Sequence, residues 1–409
     1  MKSTITRLAA VVFCLSAFAG CKMNQTAPRP TIPLVERIIN DTQSPEHHAL
    51  ARFDPQDPHG DIVILDAPGR CFYFSERFLT CDDHDNVDGR ACPDHLPDFA
   101  GERITSVIDL VYTPYSRFVL ADNASALREV TVRAAVSAVD TACCLGPFDH
   151  EKRSWKPSAK LLVITSPYMA ACGAFDVDTL FRATRSAVPM LSGPEVMMEQ
   201  VMDGHEGAVS IGILTDSLTA ASGVYPLIFK EVCRKRGDPY SSLSTFAVPA
   251  EASSDSLALS AAHLPSDLFK MILDQHATSG RTAPLNAMVI DVHSVCIDSL
   301  EVSYQRILNR PSDENAFYRK MLSKDFTFVD GARALTDACY RYLRNRNLFT
   351  HNIAYPQASA YLTSPESSEY MLMDFDLNGI PTEMADEIRR TSPETFKMYV
   401  QDQYHARGN

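Results

Sequence analysis

The sequence predicts an α/β protein built on parallel sheet, and three observations point there. Eight short apolar segments rich in Val and Ile recur along the chain, they alternate with stretches of helical periodicity, and most are apolar throughout. A strand covered by helices on both faces needs that last property, because neither face meets water. The composition permits it: with 409 residues, 45% of them hydrophobic, the chain can bury a large core, and 17 Gly beside 25 Pro argue against low-complexity or collagen-like architectures.

In chain order the predicted strands are 61–66 (DIVILD), 105–112, 160–165 (KLLVIT), 188–191, 209–215 (VSIGILT), 244–249, 287–292 (AMVIDV) and 326–330. Helical patterns follow them at 72–80, 123–142, 176–186, 193–203, 219–235, 265–277, 297–309 and 331–346. Eight β/α units in series can close as one barrel or split into two open sheets of four, and spacing alone does not choose. Two inserts interrupt the rhythm: an acidic loop at 81–97, and the loop 143–157 carrying the single tryptophan, Trp155. Residues 351–409, with prolines at 356, 365, 381 and 393, read as a helical extension.

Ahead of the first strand, Lys2 and Arg7 precede an apolar stretch from Leu8 to Ala19 that is too short for a stable membrane span, the pattern of a signal peptide over 1–20. Phe18-Ala19-Gly20-Cys21 resembles a bacterial lipobox, which implies lipidation of Cys21 and a place in the cell envelope, periplasmic or anchored to the outer membrane. Cleavage after Ala19, which Ala17-Phe18-Ala19 also fits, would instead release a soluble periplasmic protein. Loss of Lys2 and Arg7 takes the net charge from −13 to −15, so an anchored body would be repelled by an anionic leaflet and held by its lipid. The same charge, with no long basic run, argues against nucleic acid as a partner. Residues 21–60 form a lead-in whose start, Lys22 to Pro33, reads as a semi-extended tether.

The most informative motif is IGILTDSLTAASGVY (211–225), a buried strand running into hydroxyl-rich turns and a helix. Free N–H groups and hydroxyls at a helix start can hold a carboxylate or phosphate, although Ser and Thr there also serve as plain caps. This run resembles an element of the aspartate/glutamate racemase superfamily, as does FTFVDGARALTDACYRYL (326–343). Residues 61–78, 158–170, 187–201 and 286–298 resemble the other units of that family in the same order. The resemblance implies two similar lobes, each with a four-stranded parallel sheet: a first lobe over 61–190 completed by 326–350, and a second over 191–325. It implies a small amino-acid-like carboxylate in the cleft between them, no cofactor, and Asp66, Thr219, Ser222 and Gly223 as binding residues.

The family's chemistry uses two opposed cysteines, and here Ser166 and Val292 stand at those positions, followed by Pro167-Tyr168 and His293-Ser294. A serine hydroxyl is too weakly acidic to serve unaided as a carbon base, and valine exchanges no proton. Two alternatives stay open. A shifted register would bring Cys172 and Cys296 to the cleft in first helical turns, where a helix N-terminus activates a thiol. Otherwise His293 would act as a lone base with Ser166 beside it, as in a one-base isomerase or lyase, unless it is simply a structural histidine.

Within the acidic insert, Cys81 and Cys92 are expected to close a disulfide in an oxidising compartment; the spacing of the acids fits no metal site. In the tail, DFDLNGIPTEMADE (374–387) begins like a calcium loop but places Ala385 where a bidentate Glu is required, so a solvated acidic turn is expected. A second function class also stands: a non-catalytic envelope lipoprotein that binds a protein or glycan.

Overall fold

The computed structural model describes residues 29–120, 123–144, 153–248, 268–280 and 283–364, and the backbone of 397–400. The signal segment, Cys21, most of the tether and the 374–387 loop lie outside the described residues.

Two parallel sheets form the body. In the first, β1 (Asp61–Asp66) lies at the centre, with β2 (Arg103–Ile108) on one side and β5 (Ala159–Ile164) then β6 (Met190–Ser192) on the other. Beyond β2 the sheet gains β11 (Gln357–Ser364), parallel to it, then β12 (Lys397–Val400) and the pair β3 (Ala142–Cys144) and β4 (Arg153–Trp155). The second sheet has four parallel strands in the order β10 (Leu322–Asp330), β9 (Leu285–Ile290), β7 (Ser210–Thr215) and β8 (Ser242–Ala247). All eight strands expected from the apolar runs are present, and two sheets form instead of a barrel. The C-terminal extension departs from expectation: 357–364 is a strand of the first sheet, paired from Gln357↔Arg103 to Leu362↔Ile108. Pro356 and Pro365 flank this strand and mark its ends.

The helices cover these sheets. In the first half they are α1 (Pro33–Asn40), α2 (Pro45–Ala51), α3 (Pro68–Thr80), α4 (Ser116–Leu120), α5 (Ala124–Val139), α6 (Pro167–Cys172), α7 (Ala174–Thr184) and α8 (Gly193–Asp203). They continue as α9 (Ser217–Ser222), α10 (Val224–Arg236), α11 (Leu268–Thr278), α12 (Ile297–Asn309), α13 (Asp313–Arg319) and α14 (Gly331–Arg346). The helix expected over 219–235 is broken at Gly223, whose φ of +73° ends α9 and starts α10. Only glycine adopts that conformation at little cost.

The core shows how the lobes join. Ile211, Ile213 and Val289 of the second sheet belong to the same core as the first lobe's strands and as Val224 and Tyr225 of α10. The opposite faces of the same strands, through Leu214, Met288 and Ile290, pack with Phe246, Phe269 and Leu273. Period-two alternation thus divides the residues of β7 and β9 between two cores, and one of them runs across both lobes.

The acidic insert is held differently from expectation. Cys81 and Cys92 are both free thiols: Cys81 is buried, with Sγ 3.8 Å from the Phe78 carbonyl, whereas Cys92 is exposed. Carboxylates close the loop instead. Asp82 accepts from the backbone N–H groups of Asp94 and His95 at 2.9 Å, and Asp98 accepts from that of His84 at 2.9 Å. The buried His84 ring stacks on Tyr340 and places Nε2 2.9 Å from Asp337, tying the insert to α14. Among the described residues no group of His, Cys, Asp and Glu is arranged to hold a metal ion.

Candidate active site between the lobes

In parallel sheets the strands all point one way, and side chains at their C-terminal ends gather on one side of the molecule. Here that side is acidic. Asp66, Asp109, Asp216, Asp291 and Asp330 stand at, or one residue past, the ends of β1, β2, β7, β9 and β10. The sequence shows the pattern as two uncharged residues followed by Asp: ILD, VID, LTD, VID and FVD.

Arg70, in the first turn of α3, joins the two lobes through these aspartates. Its Nε donates to Asp66 Oδ2 at 3.0 Å, an i,i+4 pair, and its Nη2 donates to Asp291 Oδ1 at 2.9 Å and to the Thr165 carbonyl at 2.8 Å. Asp66 also accepts from the Thr165 hydroxyl at 2.7 Å and from the Ala67 N–H at 2.7 Å. Asp291 accepts from the Tyr225 hydroxyl as well. Both carboxylates are buried, with side-chain exposure of 2%, but Arg70 keeps 22%. Its Nη1 makes no hydrogen bond among the described residues, so one edge of the guanidinium fork is unoccupied.

The electrostatics follow from burial and pairing. Burial opposes the Arg70 charge, and Asp291 and Asp66 outweigh it, holding the guanidinium firmly ionised. Burial raises the Asp66 carboxyl, with Arg70 and Thr165 pulling it back. Asp291 is pushed up to about 6 by burial, against the pull of Arg70 and with added repulsion from Asp66 and Asp216. It is therefore the group here that can change protonation near neutral pH.

The residues singled out in the sequence fall in four places. Asp66 lies at the centre of the network. Thr219 and Ser222 lie in α9: Thr219 shares a hydrogen bond with the Tyr168 hydroxyl at 3.1 Å, and Ser222 donates to the Thr219 carbonyl at 2.7 Å. Gly223 is the hinge between α9 and α10. Ser166 is fully buried and caps α6, accepting from the Met169 N–H at 3.3 Å. His293 is exposed in the turn after β9, its ring 5.9 Å from that of Tyr73.

The shifted-register thiols do not meet in this network. Cys172 is the last residue of α6, not in its first turn, and burial pushes its thiol up to about 11. Cys296 is the exposed residue preceding α12. Cys71 follows Arg70 but is fully buried, with Sγ 3.8 Å from the Val107 carbonyl, and burial holds it protonated. Sequence reasoning missed Arg70, Thr165, Tyr225 and Asp291. A signal for Arg70 existed in its four-residue spacing from Asp66; Tyr225 and Asp291 are brought together only by the packing of α10 on the second sheet.

No family profile and no curated protein matches the chain. Among solved structures it is similar to glutamate racemase isoform RacE1 from Bacillus anthracis, at 14% identity and a TM-score of 0.45, over 78% of this chain and 99% of that one. It is similar also to glutamate racemase from Francisella tularensis in complex with D-glutamate, at 14% identity and 0.45, over 85% of this chain and 100% of that one. A third is an aspartate racemase homologue from Pyrococcus horikoshii, at 11% identity and 0.36, over 70% and 99%.

Proposed function

We propose that the cleft between the lobes binds a small amino-acid-like carboxylate, in a protein directed to the bacterial cell envelope and anchored there through lipidated Cys21. The observation that carries the binding reading is Arg70: a guanidinium fixed by two buried carboxylates from opposite lobes, with one edge still open. An arginine locked in this way is preorganised to receive a carboxylate. Asp66 is the acceptor for the ligand's ammonium group, and Thr219, Ser222 and Gly223, at the junction of α9 and α10, form a wall of the cleft. Racemisation by two thiols is not the reading the geometry supports, since Ser166 is committed to capping a helix and Val292 is buried. Any proton transfer here is one-base chemistry, and Asp291 is its candidate base because its carboxyl is pushed up to about 6.

A thermal-shift panel of L- and D-amino acids at millimolar concentration tests the reading. At least one raises the melting temperature of the wild type, and none does if the cleft is not a binding site. One observation favours a second reading, a non-catalytic envelope protein: the hydrogen bonds that hold Asp66 and Asp291 all come from within the chain. Exchange of an α-proton for deuterium from solvent, lost in the Asp291→Asn variant, would eliminate it.

A further inference from the structure

The charge around Arg70 says more about the ligand than that it has a carboxylate. Asp66 and Asp291 share a single guanidinium, Asp216 follows the neighbouring strand β7 and repels Asp291, and among the described residues Arg70 is the one cation paired with any of the three. Asp216 uses Oδ1 to accept the Thr219 N–H at 2.9 Å, capping α9, and no cation pairs with it among the described residues. An ordinary zwitterionic amino acid brings no net charge, so it would leave this excess in place. A second acid would add to it, at a cost that grows in a partly desolvated site.

An independent observation lies in the next strand. Thr215 is fully buried, and its hydroxyl has no hydrogen-bond partner among the described residues. Leu214 pairs with Ile290, so Thr215 and Asp291 follow in register and project from the same face of the sheet. A buried hydroxyl without a partner beside an under-compensated carboxylate is an acceptor position awaiting a donor.

We infer that the ligand is an amino acid whose side chain ends in a second cationic nitrogen, seated between Asp216 and Asp291 with the Thr215 hydroxyl as an added acceptor. This rests on the cleft reading above and names its ligand class. The ammonium and carboxylate of the ligand's α-carbon match Asp66 and Arg70, and the distal nitrogen removes the remaining imbalance. The repulsion from Asp66 and Asp216 that adds to the effect of burial on Asp291 is relieved when this nitrogen is bound.

Titration calorimetry with L- and D-forms of lysine, ornithine, norleucine and glutamate tests the inference on the full chain. Lysine or ornithine binds at least tenfold more tightly than norleucine, which has the same carbon skeleton as lysine without the distal nitrogen, and glutamate binds most weakly. In Asp216→Asn, where Asn still caps α9, the ratio of lysine to norleucine affinity falls at least tenfold. Norleucine or glutamate binding as tightly as lysine overturns the inferred class and leaves the cleft reading standing. Absence of binding by all four overturns both.

Discussion

Arg70 is the residue on which both the junction and the proposed site depend. Replacing it by Met leaves Asp66 and Asp291 buried without a counter-ion, a loss of about 3–5 kcal/mol in chemical denaturation. Asp291 carries a second prediction. Its carboxyl rises from 3.8 to about 6 on folding, so the folded state holds the proton more tightly and the sign is opposite to that of an ordinary salt-bridged aspartate. Its contribution is most favourable at low pH and is lost as pH rises through the interval between those values. Measured against Asp291→Asn, the wild type should lose up to about 3 kcal/mol across that interval and then stay level, as read from denaturation at each pH. A difference that grows in favour of the wild type with rising pH would contradict the assignment. At this scale the sequence was half legible. Asp66 stood out only through its place in the racemase-like resemblance, whereas Asp291 stayed hidden within an apolar run until its partner on α10 was seen.

Elements were the most legible level, because period and apolar content specify buried strands and amphipathic helices almost locally. The bounds expected for the helices at 193–203, 297–309 and 331–346 are those observed. The segment 357–364 was misread for a physical reason: QASAYLTS has no continuous apolar run, and it becomes a strand only because β2 offers it an unpaired edge. The break in 219–235 rests on one glycine. Gly223→Ala, with open space for its Cβ but a φ of +73°, should cost about 1 kcal/mol through backbone strain alone. Gly173→Ala meets a different obstacle, since its Cβ would lie 2.3 Å from the Thr131 side chain where α6 turns into α7 against α5. That overpacking should cost about 1–3 kcal/mol, and equilibrium unfolding of the two variants ranks them. Equal effects would show that α5 yields more easily than its buried face suggests.

At the scale of the whole molecule, two lobes share one core across β7 and β9, so the junction at Arg70 lies within a largely continuous body instead of between two independently hinged domains. No helix among the described residues is long and apolar enough to cross a membrane. Radiolabelled palmitate should mark the wild type and not Cys21→Ala; labelling of both, or of neither, would remove the anchor. The two-lobe order was legible from the succession of strands and helices, but the meeting of lobes at Arg70 was not, because residues 221 positions apart form that contact only in the fold. The central claim is that Arg70 receives a ligand carboxylate, and the most direct measurement is calorimetric titration with the best-bound amino acid beside its α-amide, which keeps every group except the carboxylate charge. The amide should bind at least tenfold more weakly to the wild type, and that difference should vanish in Arg70→Met. Equal binding of acid and amide by the wild type would contradict the assignment.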